Sequence, residues 1–150
     1  KIGLAGLRLG FGVGPRELIG ELEKARPPYN ISTTTQVAAL WLLENAGELL
    51  RERCAEVVRE RARLYEALVE MEGLRVYPSE ANLLLLRVGE AGAGAGPRLW
   101  QALVDRGILL RTFGSAGDLA DCLRLTVGTP SENDETLAVI EELLPAVLAR

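Results

Sequence analysis

Apolar residues recur at helical spacing in five stretches of the chain, and this pattern predicts five helices. In the longest stretch, 48–71, leucine, valine and tyrosine fall near one face, and arginine and glutamate lie elsewhere. Ser32 or Thr33 can cap the helix that follows them. Thr129 can cap the last helix, with Pro130 at its first position. The predicted helices are 15–25, 34–45, 48–71, 97–106 and 132–148.

Short apolar or alternating segments predict the strands. Beyond residue 73 the predicted order is strand, strand, helix, strand, strand, helix, which is typical of a sheet with helices packed on one face. A turn of alternating glycine and alanine over 92–96 precedes the first of these two helices. The predicted strands are 7–14, 74–77, 81–88, 108–112 and 122–127.

Composition excludes several classes of function. The formal net charge of −4 gives no basic surface for nucleic acid, and no apolar run approaches the roughly 20 residues needed to cross a bilayer. The chain has no histidine, so it cannot build a histidine-activated nucleophile or a histidine-containing metal site. Cys54 and Cys122 lack metal-ligand spacing, and we interpret them as reduced, buried thiols in apolar surroundings. We therefore expect no metal, nucleic-acid or membrane partner.

The first ten residues carry the strongest candidate chemistry. Lys1 and Arg8 are seven positions apart and are separated by small and apolar residues. A lysine amine can condense with an aldehyde, and a guanidinium can bind a phosphate through two hydrogen bonds. The only other lysine, Lys24, lies on an amphipathic helix, where we expect it to be solvated. Taken alone, the decapeptide is also compatible with a purely structural turn.

Arginines mark the predicted strands near the C-terminus. Arg124 alternates with Leu123 and Leu125, so it either faces water on a half-exposed strand or binds an anion. Arg111 lies on the preceding predicted strand and is either a surface residue or a second anion ligand. Asn82 is either a hydrogen-bonding residue at a strand end or a site residue.

Five segments resemble pyridoxal-phosphate-dependent aminotransferases of fold type I. Residues 1–10 resemble the cofactor-lysine segment of that family, and 122–130 resemble its substrate-arginine strand. The segments 27–32, 79–85 and 107–111 narrow the resemblance to histidinol-phosphate aminotransferases. The five matches stand in the family's order and cover nearly the whole chain.

The resemblance implies an α/β fold, the C-terminal part of a fold-type-I aminotransferase within a longer polypeptide. It implies that 1–46 end the large cofactor-binding domain. It also implies that 47–150 form a small domain with helices packed on a sheet, including the long connecting helix. Alternatives of the same fold are a phospho-amino-acid decarboxylase, an aromatic aminotransferase and a non-catalytic domain of a transcription regulator.

The resemblance also implies site residues. Lys1 would hold pyridoxal 5'-phosphate and act as the catalytic acid and base, and Arg8 would bind the cofactor phosphate. Arg124 would bind the carboxylate of the amino donor glutamate, and Arg111 would recognise the phosphate of an imidazole-containing ester in histidine biosynthesis. A cytoplasmic homodimer is expected.

Overall fold

The computed structural model describes residues 5–114 and 116–149. The chain divides into two compact units, Lys1–Cys54 and Ala55–Arg150. Both are described separately, although helix α3, Gly47–Val69, begins in the first unit and ends in the second. Among the described residues, no helix is both long and apolar enough to span a bilayer.

The first unit is helical. A short 3-10 helix, Ala5–Leu7, is followed by α1, Arg16–Ala25, and α2, Thr33–Asn45. The Ser32 hydroxyl caps α2 by accepting a hydrogen bond from the Thr35 backbone N–H at 3.1 Å, which confirms one of the two predicted caps. Neither α1 nor α2 contains a buried residue.

The strand predicted at 7–14 is wrong. Beyond the 3-10 helix, residues 8–15 have no regular secondary structure, and Phe11 and Val13 are exposed. A strand is stabilised by pairing with a neighbour, and the sheet described in this chain lies entirely in the second unit. Glycine at 10, 12 and 14 further weakens an extended segment, since glycine loses the most backbone freedom on folding.

The second unit contains a four-stranded antiparallel sheet in the order β1-β2-β4-β3. Burial alternates along β2, as expected for a sheet with one covered face. The strand predicted at 108–112 forms only at its last two residues. The strands are β1, Leu74–Tyr77, β2, Leu83–Val88, β3, Arg111–Thr112, and β4, Cys122–Thr126.

Helices pack against the covered face of this sheet and form the core. Helix α3 contributes Leu64 and Leu68, and α4, Ala95–Asp105, contributes Leu99 and Leu103. Helix α5, Pro130–Leu148, packs beside α4 and contributes Val139, Ile140, Leu144 and Val147. These helices bury the leucines and valines on the inner side of β2 and β4, so the predicted layer of helices on a sheet is confirmed.

Polar contacts fix the starts of α4 and α5. Helix α5 starts at Pro130 under a complete capping box, in which Thr129 and Glu132 bond each other's backbone N–H groups, so the predicted cap and first residue are confirmed. Helix α4 starts at Ala95, inside the predicted glycine-alanine turn. Its first turn is stabilised by a carboxylate from a distant part of the sequence, as described below.

Candidate active site

Strands β3 and β4 place Arg111 and Arg124 directly opposite each other. Opposed residues on adjacent strands project to the same face, and their Cα atoms lie about 4.5–5.5 Å apart. Both arginines are exposed on the face away from the helices. The two candidate substrate ligands are therefore neighbours, although thirteen residues separate them in sequence.

This outer face of the sheet is cationic. It carries Arg75 and Arg87 as well, and none of the four described strands contains an aspartate or a glutamate. Arg75 stacks over the Tyr77 ring at 5.0 Å, and Arg87 donates to the Asp118 backbone carbonyl at 2.6 Å. Within residues 5–114 and 116–149, by contrast, the side chains of Arg111 and Arg124 have no hydrogen bond or ion pair.

An open groove of about 380 Å³ lies beside the two arginines. Trp100 on α4 forms one wall, and its indole Nε1–H donates to the Leu110 carbonyl at 2.9 Å. Leu109 is 78% exposed, which is unusual for leucine, and gives the groove an apolar edge. The groove combines two free guanidinium groups with apolar and hydroxyl side chains, a lining suited to an anion attached to a flat or apolar group. Its lining residues are Trp100, Leu109, Leu110, Arg111, Thr112, Arg124 and Thr126.

Asp121 fixes the start of β4. Its side chain is fully buried, and its carboxylate accepts hydrogen bonds from the backbone N–H groups of Gly92 at 2.7 Å and Gly96 at 2.8 Å. A carboxylate is favourable there because helix α4 begins at this point and its first N–H groups lack partners within the helix. The Asp121 carbonyl also accepts from Val88 N–H at 3.0 Å. The strand that carries Arg124 is thus attached to both α4 and β2.

A second polar cluster fixes the other end of β4. The Asn133 side chain, nearly fully buried, accepts from Gly128 N–H at 2.9 Å and donates to the Glu60 carboxylate at 2.7 Å. Hydrogen bonds from Arg63 and Asn133 lower the pKa of Glu60, with Arg63 the larger cause. The hydrogen bond with Glu60 raises the pKa of Arg63 in turn. This cluster connects α3, the turn after β4 and the start of α5.

The first unit contains the other predicted ligand, Arg8. It is exposed, has a φ of 55° and follows the 3-10 helix, whose Ala5 carbonyl accepts a 3.3 Å hydrogen bond from Arg8 Nη1. The Thr35 hydroxyl donates to the Leu7 carbonyl at 3.3 Å, so the N-terminus of α2 supports the turn that carries Arg8. Lys1 lies outside the described residues.

Lys24, Asn82, Cys54 and Cys122 are the remaining residues that the sequence analysis considered. Lys24 is exposed, as its helical context predicted, and forms an ion pair with Glu21 at 2.6 Å. The Asn82 backbone carbonyl accepts from Val127 N–H at 3.0 Å. Cys122 is buried, as predicted, whereas Cys54 is only half-buried, and neither forms a disulfide among the described residues.

Sequence reasoning missed Trp100 and Asp121. Trp100 occupies a position on an amphipathic helix where a core residue is expected, and nothing nearby in sequence indicates that its N–H reaches Leu110. Asp121 stands before an apolar strand, and its partners lie 25 and 29 residues away. The sequence offered one signal for the role of Asp121: an acidic residue immediately before an apolar strand, in a chain that also contains a glycine-rich turn.

Comparisons with known proteins identify the family of the chain. The family model for aminotransferase class I and II matches residues 1–140. A histidinol-phosphate aminotransferase of Methylibium petroleiphilum is 46% identical over 146 residues, 96% of this chain and 38% of the relative. One from Polaromonas naphthalenivorans is 42% identical over 145 residues, again 96% of this chain and 38% of the relative.

A solved structure supports the fold. The histidinol-phosphate aminotransferase of Sinorhizobium meliloti in complex with pyridoxal-5'-phosphate matches with a TM-score of 0.77 and 24% identity, covering 97% of this chain and 39% of that one. The fold predicted from the resemblance, part of a fold-type-I aminotransferase, is confirmed. The chain spans about 38% of the length of the curated relatives it matches. With the family model matching nearly its whole length, the chain belongs to the aminotransferase class I and II family.

Proposed function

We propose that this chain is part of a pyridoxal-phosphate-dependent aminotransferase of histidine biosynthesis. It would transfer an amino group between glutamate and an imidazole-containing phosphate ester such as histidinol phosphate. The observation that carries the proposal is the opposed pair Arg111 and Arg124, whose guanidinium groups have no hydrogen bond or ion pair among the described residues, on a sheet face whose strands contain no acidic residue. The two relatives described above, both histidinol-phosphate aminotransferases, support the same substrate.

The charges of the two substrates match this pair. A phosphate monoester carries about −1.5 to −2 charges at neutral pH, which two guanidinium groups can neutralise. The α-carboxylate of glutamate carries one charge and needs one guanidinium, which can bind it through two parallel hydrogen bonds. We assign Arg124 to the carboxylate, because β4 is paired on both sides and holds this residue most firmly. We assign Arg111 to the phosphate.

The first unit has suitable donors for the cofactor. The Arg8 guanidinium is exposed and has no carboxylate partner among the described residues, so it is available to bind the cofactor phosphate. The chain has two lysines, and Lys24 is ion-paired, which leaves Lys1 to attach the cofactor covalently. When bound, pyridoxal phosphate supplies an electron sink for the charge that develops at the substrate Cα.

The residues of the chain would then divide the work of transamination. Lys1 Nζ would remove the proton from the substrate Cα and deliver a proton as general acid. Arg124 would fix the carboxylate of the amino donor, and Arg111 would select the phosphorylated substrate. As the family resemblance implies, we expect the complete enzyme to act as a cytoplasmic homodimer.

Single-turnover measurements on the full-length enzyme test the substrate assignment. Glutamate has no phosphate, so Arg111→Ala should leave its half-reaction nearly unchanged and weaken that of histidinol phosphate. A charged hydrogen bond contributes roughly 1.5–3 kcal/mol, which corresponds to about ten- to a hundredfold in kcat/KM. Arg124→Ala should slow the glutamate half-reaction. Arg75→Ala is the matched control, because it removes an arginine from the same sheet face that already stacks on Tyr77.

The alternatives give different results. If Arg111→Ala slows both half-reactions equally, or neither, the phosphate assignment is wrong and a general or aromatic aminotransferase fits better. Release of carbon dioxide from a phosphorylated amino acid would instead identify a decarboxylase of the same fold.

A further inference from the structure

Strand pairing alone holds Arg111 in place only weakly. Strand β3 has two residues, Arg111 and Thr112, and it pairs only with β4. A two-residue edge strand is held by few ladder hydrogen bonds. A shift of one residue would turn Arg111 to the opposite face of the sheet, away from Arg124. Another contact must therefore keep β3 in register.

Trp100 supplies that contact. Its indole Nε1–H donates to the carbonyl of Leu110, the residue immediately before Arg111, at 2.9 Å. Helix α4 holds Trp100 rigidly, because its neighbour Leu99 is fully buried in the core. The backbone that enters β3 is thus fastened to the core helix by this side-chain hydrogen bond, in addition to the burial of the Leu110 side chain in the core.

The same indole ring lines the groove that contains both arginines. A ring at this place can contact substrate and also hold the strand. The glutamate carboxylate depends on Arg124, which lies on the inner strand β4 and has neighbours on both sides. The phosphate depends in addition on Arg111, which lies on the edge strand. Loss of the indole N–H should therefore affect one substrate more than the other.

We propose that Trp100 is a positioning residue for substrate specificity: its N–H holds the Leu110 carbonyl and so orients Arg111 toward the phosphate of the substrate. This inference rests on the proposed function, since it assumes that Arg111 binds phosphate. Phenylalanine at position 100 keeps an aromatic ring but lacks the N–H donor.

The test compares half-reactions of the full-length enzyme. Trp100→Phe should weaken the apparent binding of histidinol phosphate about fivefold, the effect of one net hydrogen bond, with little change in the maximal rate. The glutamate half-reaction should not change. Trp41→Phe is the matched control, because it makes the same chemical change in α2, where Trp41 is exposed and its indole has no hydrogen-bond partner among the described residues.

A double-mutant cycle separates positioning from general stability. If Trp100 acts through Arg111, Trp100→Phe should have no further effect on histidinol phosphate once Arg111→Ala is present. A merely structural role would give additive losses and would slow glutamate too. Site-specific replacement of Trp100 by its benzothienyl isostere, which keeps the ring shape without the N–H, gives the same comparison if Trp100→Phe folds poorly.

The outcomes distinguish this inference from the proposed function. If Arg111→Ala alone fails to discriminate between the substrates, the phosphate role of Arg111 is wrong and the proposed function falls. If Arg111→Ala discriminates but the Trp100 variants do not, or their effects add to it, the positioning role is overturned and the proposed function stands.

Discussion

Replacement of Asp121 should test how strongly β4 is fixed to α4. In Asp121→Ala, the N–H groups of Gly92 and Gly96 lose their shared acceptor. The Gly96 N–H is buried, and an unsatisfied buried donor costs about 1–3 kcal/mol. Asp121 also has a φ of 57°, a left-handed conformation that costs alanine roughly 1–2 kcal/mol. Water can reach the partly exposed Gly92 N–H, so its loss contributes less.

These contributions sum to a destabilisation of about 2–5 kcal/mol for Asp121→Ala. Asp121→Asn should cost less, about 1–3 kcal/mol, because the amide keeps one acceptor and asparagine tolerates a positive φ. The matched control is Asp118→Ala, which removes a carboxylate from the same loop whose side chain is exposed.

Urea denaturation of the full-length enzyme measures the free energy of unfolding, and native-state hydrogen exchange reports the two amides directly. Exchange at Gly92 and Gly96 should accelerate in both Asp121 variants and stay unchanged in Asp118→Ala. The reasoning is refuted if Asp121→Ala costs less than about 1 kcal/mol, the lower bound for one buried unsatisfied donor, or if protection at Gly96 is retained.

Three further predictions concern the same framework. Gly96→Ala should destabilise by about 1–3 kcal/mol, because its Cβ would lie 2.6 Å from the Asp121 backbone. Gly20→Ala, with open space around the new Cβ, should stabilise helix α1 slightly, and urea denaturation compares the two. Glu60 has a lowered pKa in the fold, so its ionised form stabilises the protein above the unfolded pKa of about 4.3. The stability difference between wild type and Glu60→Gln should therefore vanish as pH falls through the lower, folded pKa, as acid titration of unfolding would show. Borohydride reduction of the cofactor-loaded enzyme followed by peptide mapping should label Lys1, and a label elsewhere in this chain would refute its assignment.

The elements predicted correctly are those with local signals. Thr129 and Pro130 are sufficient to predict the start of α5. The helical spacing of apolar residues is likewise sufficient to predict α3. The sequence also indicated which residues of β4 lie on the outer face of the sheet, because Arg124 alternates with buried leucines. The prediction of a strand at residues 7–14 was wrong because a strand requires a second strand to pair with it. The local sequence does not show whether such a pairing strand is present.

The site was only partly predictable from sequence. Arg111 and Arg124 were both identified, but their opposition across β3 and β4 follows from strand register, which long-range packing determines. Trp100 and Asp121 were missed because each acts through backbone groups. Almost every residue has a backbone carbonyl and N–H, so the residue type at the partner position does not show that a side chain binds there. Residue patterns therefore cannot predict such contacts.

The chain is acidic overall, with a net charge of −4, yet its candidate substrates are anions. Exposed charges are screened beyond about 8 Å at physiological ionic strength. An anion in the groove is therefore affected by the charges close to it and little by the net charge of the chain. Within that distance the outer sheet face contributes arginines and its strands contribute no acids. Like charges directly opposite each other, such as Arg111 and Arg124, destabilise a sheet. In the proposed function, an anion bound between the two guanidinium groups would remove this repulsion, so the repulsion that weakens the free protein would favour the bound one.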